Sequence, residues 1–261
     1  MSLLRLLDLF SGIGGFSYAA ERIVGGYKTV AFVEREPYCQ KILRQHWPSV
    51  PIHDDICKFE PERHSADVVC GGFPCQDISL AGKQAGINEG TRSGLFYELM
   101  RVVRMVEPKY IVLENVAAIL GNGLGTVLGE LAEAGFDAEW ACIPASAVGA
   151  CHQRDRWWLI AHTNHSGSQR QRAKHELSES GKKRTIAWCR RDAMLSSEWG
   201  GYVSKPVLCR GDDGLSGRVD RLKALGNAVV PQVAAIPLQR VLEIHAQTKN
   251  DQETTGVMWE S

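Results

Sequence analysis

Short apolar runs alternate with longer stretches whose apolar positions recur every three or four residues through most of the first 163 positions. The runs Leu3 to Leu9, Thr29 to Val33, Val68 to Cys70, Tyr110 to Leu113 and Trp157 to Ala161 read as strands, because short apolar runs rich in branched residues suit a buried extended segment. Helical spacing is clearest in Leu95, Phe96, Leu99, Met100, Val102, Val103 and Val106. These predict one apolar helix face that ends where Pro108 interrupts. Strands that are apolar almost throughout, with helices between them, imply a sheet covered on both faces and therefore mostly parallel. The predicted class is α/β.

The texture changes near Asn164, and from there to Gly217 the chain is rich in Ser, Gly, Arg and Lys with weak strand and helix signals. Residues 152–192 hold ten Lys or Arg against four Asp or Glu, on a chain with 30 of each sign and zero formal charge. Such a local excess suits a phosphate-facing surface; a solvated basic insertion is the alternative. Periodicity returns at Asn227, where Val230, Val233, Ala234, Ile236, Leu238, Val241 and Leu242 predict a helix, with Pro237 standing against it in the middle.

At 261 residues and 44% hydrophobic, the chain can bury the core of one large or two modest domains. None of its eight cysteines forms a CxxC pair, so neither a disulfide framework nor a conventional zinc site is expected, and no metal is invoked. No run approaches 18 apolar residues and the N-terminus lacks the pattern of a secretory signal. A soluble, reduced, cytoplasmic protein without a membrane partner is the expectation.

Four segments carry chemistry. DLFSGIGGF, Asp8 to Phe16, closes the first strand, and its Gly12, Gly14 and Gly15 permit a tight strand-to-helix turn and close approach by a ligand. The next strand ends at Glu34, where a carboxylate can accept from ribose hydroxyls, and Asp55 with Ile56 offers an acceptor and an apolar surface suited to adenine. In GGFPCQDIS, Gly71 to Ser79, Pro74 and the glycines turn the chain at the end of a buried strand. Cys75 is thereby placed as a nucleophile, a packed thiol being the other reading of the same position, whereas Cys70 inside the strand is expected to be buried and inert. ENV, Glu114 to Val116, sets a carboxyl at another strand end, serving either acid chemistry beside Cys75 or a helix cap. In HQRDR, Arg154 and Arg156 are two apart on a segment read as extended, hence on one face. Guanidinium groups fit base carbonyls and phosphates, and surface charge is the bland alternative.

In this order these segments, with the RDR of HQRDR and GNAVVP at Gly226 to Pro231, resemble the cytosine-C5 DNA methyltransferases of bacterial or phage type. The resemblance spans Leu6 to Val241, with no family motif placed between Asn164 and Gly217. It implies a doubly wound, mostly parallel sheet of the S-adenosylmethionine-dependent methyltransferase fold over residues 1–163. A small target-recognition domain would occupy 164–217, and a C-terminal segment, 218–261, would return to the catalytic domain. It implies that S-adenosylmethionine binds at Phe10, Ser11, Gly12, Gly14, Gly15, Glu34, Asp55, Ile56, Asn227 and Val229, leaving as S-adenosylhomocysteine. Catalysis would rest on Cys75 attacking C6 of cytosine, Glu114 at N3, Arg156 at the C2 carbonyl and Arg154 organising the crevice or backbone. Double-stranded DNA would meet Gln76, Ser79 and Arg92, the stretch from Ser79 to Arg92 resembling the loop that closes behind an extruded base. A monomer is the simplest assembly; a stand-alone enzyme is compatible with this length, and the sequence does not establish whether a companion restriction endonuclease accompanies it.

Two features depart from the family pattern. Cys151-His152 stands where many members read Pro-Gln, and the recognition region is only about 55 residues, which implies a short or degenerate target or recognition shared with the rest of the protein. A related branch acting on transfer RNA carries a Cys-Phe-Thr segment absent here, and amino-group methyltransferases carry an Asn/Asp-Pro-Pro-aromatic segment where this chain has GGFPCQ.

Overall fold

The computed structural model describes residues 2–74, 94–150, 154–163 and 224–257. Seven strands form one sheet: β1 Leu4–Leu9, β2 Tyr27–Val33, β3 Ile52–His53, β4 Val68–Gly72, β5 Tyr110–Val116, β6 Phe136–Ile143 and β7 Arg156–Thr163. Their spatial order is β3-β2-β1-β4-β5-β7-β6. The first five pair in parallel, and β7 and β6 complete the sheet in antiparallel register. All five strands read from the sequence are present, in a mostly parallel α/β sheet.

The alternation of side chains along each strand divides the core into two layers. On one face Leu7, Leu9, Val69, Ile111, Leu113 and Leu159 meet helix α3, Leu95–Val106, and helix α4, Leu124–Glu133. Phe96, Leu99, Met100, Val102, Val103 and Val106 of α3 are all buried, each contributing about 1.5–3 kcal/mol by leaving water. The helix ends at Glu107, whose φ of 51° is left-handed, and Pro108 cannot continue it. On the other face Leu4, Leu6, Val68, Cys70, Val112, Trp158 and Ile160 meet α1, Gly15–Tyr18, the π-helical turn Ala19–Val24 and the C-terminal helix α5, Pro231–Val257. Helix α2, Pro37–His46, packs Leu43 and the adjoining Trp47 on Phe32 near the β3 edge.

Two elements differ from the pattern. β6 is a strand not among the five read from the sequence, although Phe136, Ala138 and Trp140 alternate with Asp137 and Glu139 as in a half-buried strand; charged residues suit an edge strand, and Glu139 pairs with Arg240 of α5 at 2.9 Å. The C-terminal helix begins at Pro231 rather than near Asn227. Residues 224–227 form a separate helical turn and 228–230 are non-helical, because a residue preceding proline is driven out of the helical region while proline itself suits the first helical position. Pro237 lies inside α5 without ending it. Burial of Ala234, Leu238 and Val241 and a 2.6 Å hydrogen bond from Tyr27 Oη to the Leu238 carbonyl hold that turn in place. Among the described residues, no helix is long and apolar enough to cross a membrane.

Candidate active site

Strand order runs one way from β1 to β3 and the other way from β4 onward. The loops leaving neighbouring β1 and β4 therefore diverge, opening a crevice at their carboxyl ends. The glycine segment follows β1, GGFP ends β4, and Glu114 lies on the next strand, β5.

On the β1 side the turn is built from left-handed residues: Phe10 at φ 54°, Gly12 at 55° and Gly14 at 86°. Phe10 adopts this conformation without glycine's freedom, a strained state that persists only where its surroundings impose it. Ser11 supplies part of that constraint, its Oγ donating to the carbonyls of Asp8 at 2.6 Å and Val33 at 3.3 Å. Glu34, at the end of β2, accepts from the Gly12 N–H through Oε2 and from the Glu36 N–H through Oε1, both at 2.7 Å. Burial raises the Glu34 carboxyl above its ordinary pKa, against the opposing pull of those N–H groups. A side chain on Gly12 would begin in open space, with no heavy atom within 4 Å. One on Gly15 would begin 2.9 Å from the Val229 carbonyl oxygen, so the loop and the returning C-terminal segment touch. Asp55 keeps Oδ1 on its own turn, accepting from Cys57 N–H at 3.0 Å, and Ile56 is buried with Val33 and Leu99. Asn227 is exposed at the end of the 224–227 turn.

On the β4 side Gly72 and Glu114 are register partners, and a Cβ on Gly72 would lie 3.0 Å from Glu114 Oε2. The second glycine of GGFP thus does more than turn the chain: it leaves room for a carboxylate. Arg156 opens β7 and places Nε 2.9 Å from Glu114 Oε1. Burial raises the Glu114 pKa, and the charges of Arg156 and Arg154 work against that rise. The neighbouring Asn115 is buried, its Nδ2 donating to the Phe73 carbonyl at 3.2 Å while its Oδ1 accepts from Val116 N–H at 2.8 Å. Asn115 thereby pins the Phe73-Pro74 turn, a role the motif reading did not assign to it. Cys75, Gln76, Ser79 and Arg92 lie outside the described residues, as do His152 and the recognition region from 164 to 217.

The two arginines separate. Arg154 has φ 37°, so the segment before β7 is not the extended stretch expected, and the same-face argument does not hold. Arg156 turns to Glu114, whereas Arg154 Nη2 donates to the carbonyls of Gly226 at 2.8 Å and Ala228 at 2.9 Å. Both still border one small cavity of about 10 Å³, lined also by Glu114, Trp158, Val230 and Val233. That is about the room for one water molecule. Desolvation and the neighbouring Arg156 lower the Arg154 pKa, and Glu114 partly restores it.

Sequence reasoning also passed over Asp8. It is wholly buried below the glycine turn, accepts from Ser17 Oγ at 2.8 Å through Oδ2, and has no hydrogen-bond partner for Oδ1 among the described residues. Desolvation raises its pKa to about 7. The signal was available in principle, since an acid inside the apolar run Leu3 to Leu9 must be buried if the run is a central strand.

The chain is 34% identical over 160 residues to the type II methyltransferase M.CviJI of Paramecium bursaria Chlorella virus IL3A, covering 60% of this chain and 42% of that protein. It is 34% identical over 166 residues to M2.BsuMI of Bacillus subtilis, with the same two coverages. The chain thus spans less than half the length of either relative. Its fold matches a Spodoptera frugiperda DNMT2 mutant crystal structure with a TM-score of 0.51 at 20% identity, over 66% of this chain and 53% of that one. The model of the C-5 cytosine-specific DNA methylase family matches residues 4–198, about three quarters of the sequence, and the chain belongs to that family.

Proposed function

We propose that this protein methylates C5 of a cytosine turned out of double-stranded DNA, through a covalent bond between Cys75 and C6. S-adenosylmethionine is the methyl donor of the family and supplies an electrophilic methyl on a sulfonium, leaving as S-adenosylhomocysteine. The observation that carries this reading is the placement of Glu114, Arg156 and the Phe73-Pro74 turn beside the glycine loop, where the strand order reverses.

The fit to an adenosyl ligand is supported by the open space over Gly12 and the strand-end carboxylate of Glu34. Phe10, Ser11, Gly12, Gly14 and Gly15 would line the ligand, Glu34 would take the ribose hydroxyls, and Asp55 with Ile56 would border the adenine. Val229 and Asn227 would close the far side. Binding at Glu34 requires it to exchange at least one main-chain N–H for a ribose hydroxyl.

Cys75 follows directly on the turn that Asn115 holds. Its thiolate would attack C6 as Glu114 gives a proton or hydrogen bond to N3 and holds the 4-amino group. Burial raises the Glu114 pKa while Arg156 opposes the rise, the direction a proton donor to N3 requires. Arg156 would bind the C2 carbonyl and keep Glu114 in place. The electron pair pushed to C5 takes the methyl; a base then removes H5 as a proton, the C–H pair re-forms the C5–C6 double bond, the C6–S pair leaves with the thiolate, and N3 returns its proton to Glu114. Division into two steps lowers the barrier of a direct attack on the ring. Because a stacked base is out of reach, the cytosine must leave the duplex, at a cost of about a few kcal/mol. Gln76, Ser79 and Arg92 would contact the DNA. Residues 164–217 would read a short target, 1–163 would form the catalytic unit, and 218–261 would complete it. Each proposed site is completed within one chain, which supports a monomer, acting in the cytoplasm of a bacterial or phage-infected cell.

The test is label transfer from S-adenosylmethionine to unmodified duplex DNA, with single-base mapping of the product. Cys75→Ser is expected to abolish turnover while leaving cofactor affinity within about twofold, as measured by calorimetry. Normal turnover in that variant would remove the covalent role.

A further inference from the structure

Arg154 is built into the molecule differently from its partner in the motif. Its guanidinium spans the Gly226 carbonyl, near the end of the 224–227 turn, and the Ala228 carbonyl just beyond it. These helix-end groups lack partners within the turn and are suited to a basic side chain. The next residue, Val229, has its carbonyl oxygen 2.9 Å and its Cβ 3.1 Å from where a side chain on Gly15 would start. The segment 226–230 is therefore gripped between Arg154 on one side and the glycine loop on the other. Two residues beyond Arg154, Arg156 holds Glu114 at 2.9 Å. A continuous set of contacts thus runs from the Glu114 carboxylate through the arginine segment and the 226–230 backbone to Gly15.

We infer that Arg154 is a positioning residue for the cofactor pocket: it sets the place of Val229 against the glycine loop through the Gly226 and Ala228 carbonyls, and so couples the pocket to the base-handling side. The inference rests on the reading that the glycine loop holds S-adenosylmethionine. The left-handed backbone at Arg154 is what turns its side chain away from the course Arg156 takes, and a residue so committed to main-chain carbonyls acts on the cofactor, not on DNA.

The experiment measures S-adenosylhomocysteine binding to the full chain by calorimetry without DNA, alongside KM and kcat for methylation. Arg154→Gln should weaken binding about tenfold and raise KM for S-adenosylmethionine by a similar factor, with kcat at saturation much less affected. Arg154→Lys, which keeps the charge and a donor, should recover part of that loss. Arg156→Gln should do the reverse, lowering kcat while leaving binding within about twofold. Because Arg154 acts through Val229, Arg154→Gln combined with Val229→Ala should be little weaker than the worse single variant, whereas independent sites would multiply their losses. Unchanged binding in both Arg154 variants, or fully multiplicative losses, would overturn the inference. Absence of binding to the unaltered protein would instead overturn the cofactor reading beneath it. Thermal unfolding of each variant separates loss of fold from loss of affinity, since general destabilisation would not divide KM from kcat or respond to lysine.

Discussion

Glu34, buried, and Glu114, partly buried, are carboxylates at the carboxyl ends of parallel strands, and desolvation raises the pKa of each. Their partners differ. Glu34 spends both oxygens on main-chain N–H groups, of Gly12 and Glu36, which fix the loop shape. Glu114 has a side-chain partner in Arg156, open ground on Gly72 and a small cavity alongside. Main-chain partners make a carboxylate part of the scaffold, whereas a side-chain partner that can be shared with an incoming group leaves it available for proton transfer. The same residue type at equivalent strand ends is thus held by two kinds of partner, and the roles proposed for the two carboxylates follow that difference.

The sharpest way to break this comparison is to remove the ionisable oxygen from each residue in turn. Glu114→Gln should reduce single-turnover methylation by about 10²–10⁴-fold, the usual weight of a positioned general acid, with little change in DNA affinity. Glu34→Gln should instead weaken cofactor binding by about tenfold, since one buried N–H loses its acceptor, and retain most of kcat at saturation. Equal effects of the two changes on kcat would erase the distinction.

A smaller effect is expected from Gly72→Ala. The added Cβ would meet Glu114 Oε2 at 3.0 Å, displacing the carboxylate by a few tenths of an ångström. Turnover should fall about tenfold or more, below the roughly 10²-fold expected of a full 1 Å misplacement, with cofactor affinity preserved. Stopped-flow rates beside calorimetry would check it, and wild-type turnover would show that Glu114 needs no such clearance.

Asp8 sharpens the comparison from a third direction, being a buried carboxyl that lacks both kinds of complete partnership. Its pKa is raised from 3.8 to about 7, so between those values the folded state binds more protons than the unfolded state. Stability from this group is therefore full below about pH 4 and is lost as pH rises through about 7. In urea unfolding at pH 5 and pH 7.5, Asp8→Asn should show a smaller fall in stability than the unaltered protein, the difference being on the order of a few kcal/mol. Parallel pH dependences would place the proton elsewhere.

Much of this protein is legible in its residues. The five apolar runs are strands, Leu95 to Val106 is a helix with the predicted buried face, and Pro108 stops it. Such features depend on neighbours a few positions away, within reach of periodicity. β6 lacks the continuous apolar run of the central strands; its signal is the alternation of Phe136, Ala138 and Trp140 with Asp137 and Glu139, the pattern of a half-exposed edge strand. The break before Pro231 was readable from the proline itself, yet the apolar spacing through Val230 pointed the other way. Among the site residues, Gly72 and Asn115 take their significance only from what lies across the strand: a carboxylate over one, the Phe73 carbonyl against the other.

The amino-acid sequence alone determined the sheet class, the order of the chemical segments and the identity of the family they resemble, since each is a property of contiguous residues. Tertiary structure alone decided how the charges pair. Arg154 and Arg156 are near-neighbours of identical chemistry, yet one reaches a carbonyl 72 positions away while the other closes on Glu114 from an antiparallel strand. The reason is physical: a hydrogen bond between distant residues depends on strand register, backbone handedness at a single φ, and the docking of a helix returning from the end of the chain. None of these is carried by local spacing.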